Sequence, residues 1–282
     1  MSIDVSGISS PVGMAADTDG NCYWVTDGRP ATTRTLIAVD SSGRRSKTVS
    51  WKATTTDVQA LAWAKGNLYV GDIGDPKATR DHIQVLSPNS LSGSSASWRA
   101  WDMVYPDGAR DAAAMAVSAK GNIYIISRGS SPAIYRAPST LSRDGDNTLI
   151  KAASAPSGVT DAVFTPDGQK LVLRTANTLT VLDAYTWKTL STATISPAGG
   201  QAIASDLAGK GLLLSGSSTA VQAMDMPAPG ARATPAASSS AAHATGANSS
   251  KSTANSRSGT LFTLIGAGVL ALLAAVIVYR AR

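Results

Sequence analysis

One pattern recurs five times in the first 226 residues and constrains the fold more than any other feature. It is a small-residue apolar strand, a turn carrying glycine, then a second apolar strand. The copies read VGMAADTDGNCYWVTD (12–27), QALAWAKGNLYVGD (59–72), AAMAVSAKGNIYIIS (113–127), DAVFTPDGQKLVLRT (161–175) and QAIASDLAGKGLLLSGS (201–217). Their turn glycines, Gly20, Gly66, Gly121, Gly168 and Gly211, are spaced by 46, 55, 47 and 43 residues. Short β-rich segments recurring near this period, with Asp-Gly or Lys-Gly turns, are the signature of propeller blades. Glycine supplies the positive φ of a tight hairpin, and the Val, Ile, Leu and Tyr runs that follow suit strands. Third strands are expected at 36–40, 83–87, 134–137 and 179–183, and fourth strands at 48–52 and 96–102.

The expected fold is therefore an all-β, five-bladed propeller over residues 1–226, with a sixth, degenerate blade as the alternative. An ordinary β-sandwich would not require one motif at near-equal spacing. After Val221 the fifth blade runs out of β-like sequence, so a strand near Ile3 to Val5 is expected to complete it. That closure would hide sheet edges that an open array exposes.

Beyond the repeats the composition changes. Residues 227–260 are almost all Ala, Ser, Thr, Gly, Pro and Asn, too poor in large apolar groups to offset ordering entropy, and are expected to form a disordered linker. Residues 261–279, LFTLIGAGVLALLAAVIVY, hold no charge, and 19 residues at about 1.5 Å each match a bilayer core, so a transmembrane helix is expected there. A short basic tail, 280–282, follows. The sequence MSIDVSGISSPVG at the start has no basic n-region or apolar h-region. The stalk-like linker nevertheless favours a single-pass membrane protein with an extracytoplasmic propeller and an export signal upstream. A tail anchor facing the cytoplasm is the alternative.

Charge narrows the function classes. All 19 acidic residues are aspartate and lie in residues 1–226 beside 20 Lys and Arg, whereas the last 56 residues carry five basic groups and no acid. The body is nearly neutral, so no nucleic-acid partner is expected. Cys22 is the one cysteine and sits in an apolar run, where it reads as a small buried hydrophobe. His82 and His243 are the two histidines, without a Cys or His companion at zinc spacing. There is no P-loop, GxGxxG or GxSxG.

First strands of a propeller line its channel, so residues at their starts surround the mouth. These are Val12, Gln59, Ala113, Asp161 and Gln201, with Asp57 and Asp111 two residues ahead in blades two and three. Asp57, Asp111 and Asp161 are candidate ligands for a weak Ca2+ site; no other cofactor is expected. The same aspartates also serve as ordinary turn caps. A second cluster, VGDIGDPKATRDH (70–82), places Asp72, Asp75, Arg80, Asp81 and His82 on a loop held by strands, which is where ligand contacts gather. These five, with Gln59 and Gln201, are the candidate binding residues.

The stretches DVQALA (57–62), LYVGDIGDPKATRDHIQVLSP (68–88), YPDGARDAAAM (105–115), NIYIIS (122–127), TPDGQKLVLRT (165–175) and GQAIA (200–204) together resemble a bacterial, mostly actinobacterial, β-propeller family of unassigned activity. The resemblance spans about residues 10–220 and implies the propeller. It also implies glutamates where this chain has Gln59, Ala113 and Gln201, and Asn where it has Pro76. Gln keeps size and hydrogen bonding without charge, and Ala keeps neither. The expected function is a membrane-anchored, non-catalytic binding or scaffold module for a protein or glycan partner. The alternative is a metal-dependent propeller hydrolase or lactonase with a channel site.

Overall fold

The computed structural model describes residues 1–27, 34–196 and 199–230. The expected linker beyond residue 230 and the apolar run 261–279 lie outside the described residues. Among the described residues no helix is long and apolar enough to cross a membrane.

Five antiparallel sheets follow one another along the chain, each ordered from an inner strand outward. The inner strands are Gly13–Asp17, Val58–Ala64, Ala112–Val117, Val159–Phe164 and Ile203–Ser205. The second strands, Cys22–Thr26, Asn67–Asp72, Ile123–Ser127, Lys170–Thr175 and Gly211–Ser215, follow the glycine turns as the repeat requires. Each inner strand packs beside the inner strands of its two neighbours, and that of blade five packs on that of blade one, so the ring closes. Five blades, not six, complete it.

Blade five contributes only three strands from its own repeat. The N-terminus supplies the rest. The Ile3 amide donates to the Thr219 carbonyl at 2.9 Å, the Val221 amide to Met1 at 2.8 Å, and Ser2 bridges Ala220. Ile3 and Val5 are buried in the core formed with Tyr23, Val39, Ala202 and Val221. Burial of such a side chain contributes roughly 1.5–3 kcal/mol, so the strap is held by packing as well as by backbone bonds.

Outer edges are covered by a device invisible in the repeat. Ser95–Ala96, from the third-to-fourth connection of blade two, pairs parallel with Ser50 and Trp51 of blade one. Asn147–Thr148, from the same connection of blade three, pairs parallel with Met103 and Val104 of blade two. Asn147 fixes that segment, since its side-chain amide donates to the Asp102 and Ser142 carbonyls at 2.9 and 3.0 Å. Both pairings hide strand edges against the next blade.

The turn glycines divide into two kinds. Gly66, Gly121 and Gly168 have φ of +68°, +87° and +68°, which fits the expected role. In blade one Asn21 takes the positive φ instead, and Gly20 is needed for space, because a Cβ there would stand 2.7 Å from Asp17 Oδ2. In blade five the positive φ belongs to Gly209, not to Gly211. Residues 227–230, read from sequence as the start of the linker, are partly tied down: the Gly230 amide donates to the Leu190 carbonyl at 3.0 Å.

Candidate functional site

Two loops meet at the face of the ring where the inner strands begin. The first, residues 73–82, joins the second and third strands of blade two. The second, residues 105–111, joins the fourth strand of blade two, Trp98–Val104, to the inner strand of blade three. Between them lies a cavity of about 280 Å³ lined by Asp75, Arg80, His82, Tyr105 and Arg110. Asp81 and Thr79 also line it, so four of the sequence-predicted residues come together here.

Asp72 is the post on which the first loop hangs. It is buried, and its carboxylate accepts from the Thr56 and Asp57 amides at 3.0 and 2.5 Å and from Arg80 Nη2 at 3.0 Å. Arg80 also donates to the carbonyls of Asp72 and Gly74 at 3.1 and 3.0 Å. A Cβ on Gly74 would overlap the Asp57 carboxylate, so a larger residue there has to push that side chain aside. Asp75 then starts a turn. Pro76 pre-sets φ, the Ala78 amide bonds back to the Asp75 carbonyl at 2.8 Å, and Ala78 itself sits at φ 50°. The buried Asp75 carboxylate accepts from the Thr79 and Arg80 amides at 3.0 and 2.9 Å. That side chain is a loop cap.

The second loop is clamped differently. Gly108, at φ +94°, makes the turn. Arg110 grips Asp107 through two parallel bonds of 3.0 and 2.6 Å and lies over the Tyr135 ring. The Tyr135 hydroxyl donates to the same carboxylate at 3.0 Å. The Arg110 bond, chiefly, holds Asp107 below the usual carboxylate range, while burial and Asp107 push the Tyr135 phenol up to about 12. Tyr105 packs edge-on against Tyr135 at 5.0 Å. Its hydroxyl is buried with no hydrogen-bond partner among the described residues.

The loops are joined at the mouth. Asp111 accepts from the Asp75 amide at 2.8 Å and pairs with Arg128 at 3.1 Å. Gln59 donates to Asp57 at 2.7 Å, and Arg128 reaches its amide oxygen at 3.5 Å. Asp57, Gln59, Asp111 and Arg128 thus form one chain of contacts behind the cavity. Gln201 stands apart, at the boundary of blades four and five, where its carbonyl accepts from Thr160.

The structure does not add Asp161 to Asp57 and Asp111. Asp161 is fully buried on the inner strand of blade four, and its two oxygens accept from the Ala162 and Ile203 amides at 2.8 and 2.9 Å. Burial, chiefly, pushes its carboxyl well above the ordinary range. Arg174, also buried, binds the Ala202 and Ser215 carbonyls, and burial brings its guanidinium down to about 10. Asp161 and Arg174 tie blade four to blade five. Among the described residues the three-residue group with ligand atoms within 4.8 Å of one another is a different one: His82, Asp102 and Asp146. His82 Nε2 is 3.6 Å from Asp102 Oδ1, and Gln84 also donates to that oxygen at 2.6 Å. The sequence search for companions of His82 missed these two, 20 and 64 residues away.

A larger cavity, about 390 Å³, opens at the other end of the channel, where the first hairpins turn. Its walls are mainly Ala, Leu61, Trp63, Val117 and Phe164, with Asp19, Lys65 and Asp206 at the rim. It is roomier than the first cavity, and its lining is mostly apolar. Cys22 is buried, and burial together with Asp17 raises its thiol to about 11, which leaves it a packing residue.

No protein-family model and no curated protein matches the chain. Among solved structures, a gluconolactonase of Xanthomonas campestris is similar at a TM-score of 0.49 and 14% identity, over 78% of this chain and 87% of that one.

Proposed function

We propose that the chain is a membrane-attached binding module whose partner, a protein or glycan, is held by the cavity between the 73–82 and 105–111 loops, without catalysis. The observation that carries this reading is the commitment of the carboxylates at the mouth. Asp72, Asp75 and Asp111 are each engaged by backbone amides, by arginine or by both, and Asp161 is buried away from the mouth. A general base or a calcium cage needs carboxylate oxygens free to meet a proton or an ion. Gln59 and Gln201 keep hydrogen-bonding capacity without charge, which suits recognition. Loops on a strand scaffold fit a displayed receptor surface, and the uncharged run 261–279 of the sequence supports membrane attachment. The mostly actinobacterial propeller resemblance is compatible with this and assigns no activity.

The rival, a metal-dependent hydrolase, makes a different prediction. Full-length protein in detergent is incubated with aliphatic lactones and aryl esters, with and without added calcium or zinc. No turnover above the blank is expected. Metal-dependent turnover that disappears in Asp57→Ala or Asp102→Ala would overturn the binding reading. In parallel, beads carrying the full chain are probed with glycans and with fractionated envelope proteins, and Asp81→Ala/His82→Ala is expected to reduce capture.

A further inference from the structure

We infer that His82, Asp102 and Asp146 form a binding site for a divalent transition-metal ion, of which zinc is the best fit. The inference goes beyond the binding reading above and does not depend on it.

Strand register brings the three residues together. Ile83, Met103 and Asn147 lie in one row across three strands, the first pair antiparallel and the second parallel. All three are buried. Side chains alternate along a strand, so the residues just before them, His82, Asp102 and Asp146, share the other face. That face is open to solvent, with the His82 and Asp102 side chains 42% and 40% exposed. Asp146 is carried there by Asn147, whose amide donates to the Asp102 and Ser142 carbonyls and whose oxygen accepts from the Ser142 amide at 2.8 Å. The ligand set therefore rests on a backbone fixed from below.

Distance separates an ion site from a hydrogen-bonded pair. One ligand atom of each residue lies within 4.8 Å of those of the other two. His82 Nε2 and Asp102 Oδ1 are 3.6 Å apart. A hydrogen bond spans about 2.7–3.2 Å, so the imidazole does not bond that carboxylate directly. Two ligands about 2.1 Å from a tetrahedral zinc stand about 3.4 Å apart, close to the spacing found. The exposed Asp146 carboxylate has room to turn in as the third ligand.

Charge points the same way. Asp72, Asp107 and Asp111 each have an arginine, whereas among the described residues no Lys or Arg pairs with Asp102 or Asp146. Two carboxylates this close repel, and a divalent cation offsets both. Donor type selects the ion: calcium takes six to eight oxygens, while one imidazole with two carboxylates suits zinc. Gln84, opposite Asp102 in register, donates to its Oδ1 at 2.6 Å, an outer bond of the kind that orients a metal-binding carboxylate. Three protein ligands leave a four-coordinate ion one position on the exposed side, for water or a donor atom of a partner.

The experiment uses the full chain in detergent, stripped with chelator, then titrated with zinc by calorimetry and with cobalt(II) by visible absorption. One saturable zinc equivalent, the intense bands of four-coordinate cobalt and a melting temperature that rises with zinc are expected. Gln84→Ala is expected to weaken zinc binding about 10-fold to 100-fold. His82→Ala and Asp146→Ala are each expected to weaken it more than Gln84→Ala does, and His243→Gln to leave it unchanged. His82 and Asp146 are exposed, so both variants are expected to keep the parent's zinc-free melting temperature. No saturable zinc binding, or binding undiminished in His82→Ala and Asp146→Ala, overturns the inference.

Discussion

Asp72→Asn is the substitution that most sharply probes the site's foundation. In the folded chain Asp72 is 1% exposed and its carboxylate meets two backbone amides and the Arg80 guanidinium. An Asn of the same shape keeps one acceptor oxygen, but its NH2 then faces an N–H donor, and Arg80 loses its counter-charge. Breaking one partner of a buried pair costs about 3–5 kcal/mol. Arg80 is 16% exposed and keeps the Asp72 and Gly74 carbonyls, which places the expected loss near the lower end, at ~3 kcal/mol. For a domain of this size that corresponds to a melting temperature lower by about 6–12 °C. Urea unfolding of the full chain in detergent, followed by tryptophan fluorescence, measures it. Arg80→Met in the Asp72→Asn background is expected to cost less than the sum of the two single changes, since it removes the uncompensated charge. A loss under about 1 kcal/mol for Asp72→Asn would refute the claim that this pair is the post of the loop.

Other consequences are equally concrete. Gly43→Ala is expected to destabilise by about 2–3 kcal/mol, because Gly43 sits at φ +89° and a Cβ would overlap the Ser2 carbonyl of the closing strap; an unchanged urea midpoint would contradict closure by the N-terminus. Asp107 is held low chiefly by Arg110, and Asp183 chiefly by the Thr186 amide. With folded values below unfolded ones, their stabilisation is present above the ordinary carboxylate range and is lost as pH falls through the folded values, so urea midpoints measured downward from pH 6 should fall less in Asp107→Asn than in the parent. Millimolar calcium is expected to leave the melting temperature unchanged, given the engaged carboxylates; a saturable rise would contradict this and point to the carboxylates of Asp102 and Asp146 beside His82.

The blades were legible because strand, turn and spacing are local properties repeated five times. Small-residue apolar runs before Gly66, Gly121 and Gly168, and Val, Ile and Leu runs after them, leave few alternatives to a hairpin, and the near-regular spacing does the rest. Closure at Ile3 was legible from a deficit, a fifth repeat lacking an outer strand. The parallel pairings of Ser95–Ala96 and Asn147–Thr148 were not, because two-residue contacts are set by how neighbouring blades stack. The site divides along the same line. Asp75, Arg80, Asp81 and His82 lie on one loop, Asp72 ends the strand that leads into it, and the five were found together. Tyr105 and Arg110 lay in plain view within YPDGARDA, yet their place opposite that loop depends on the blade two to blade three crossing. Asp161 misled because its position at an inner-strand start says nothing of depth. The charge of Arg174 in the apolar run LVLRT was the available clue that this spot is a buried polar tie and not a rim.

The central claim is that ligand is held between the 73–82 and 105–111 loops. Backbone hydrogen exchange of the full chain, with and without a saturating glycan or envelope protein captured on the beads, tests it most directly. Added protection is predicted at residues 75–82 and 105–111. Protection confined to residues 17–20 and 64–66, around the apolar cavity at the other end of the channel, would contradict the account.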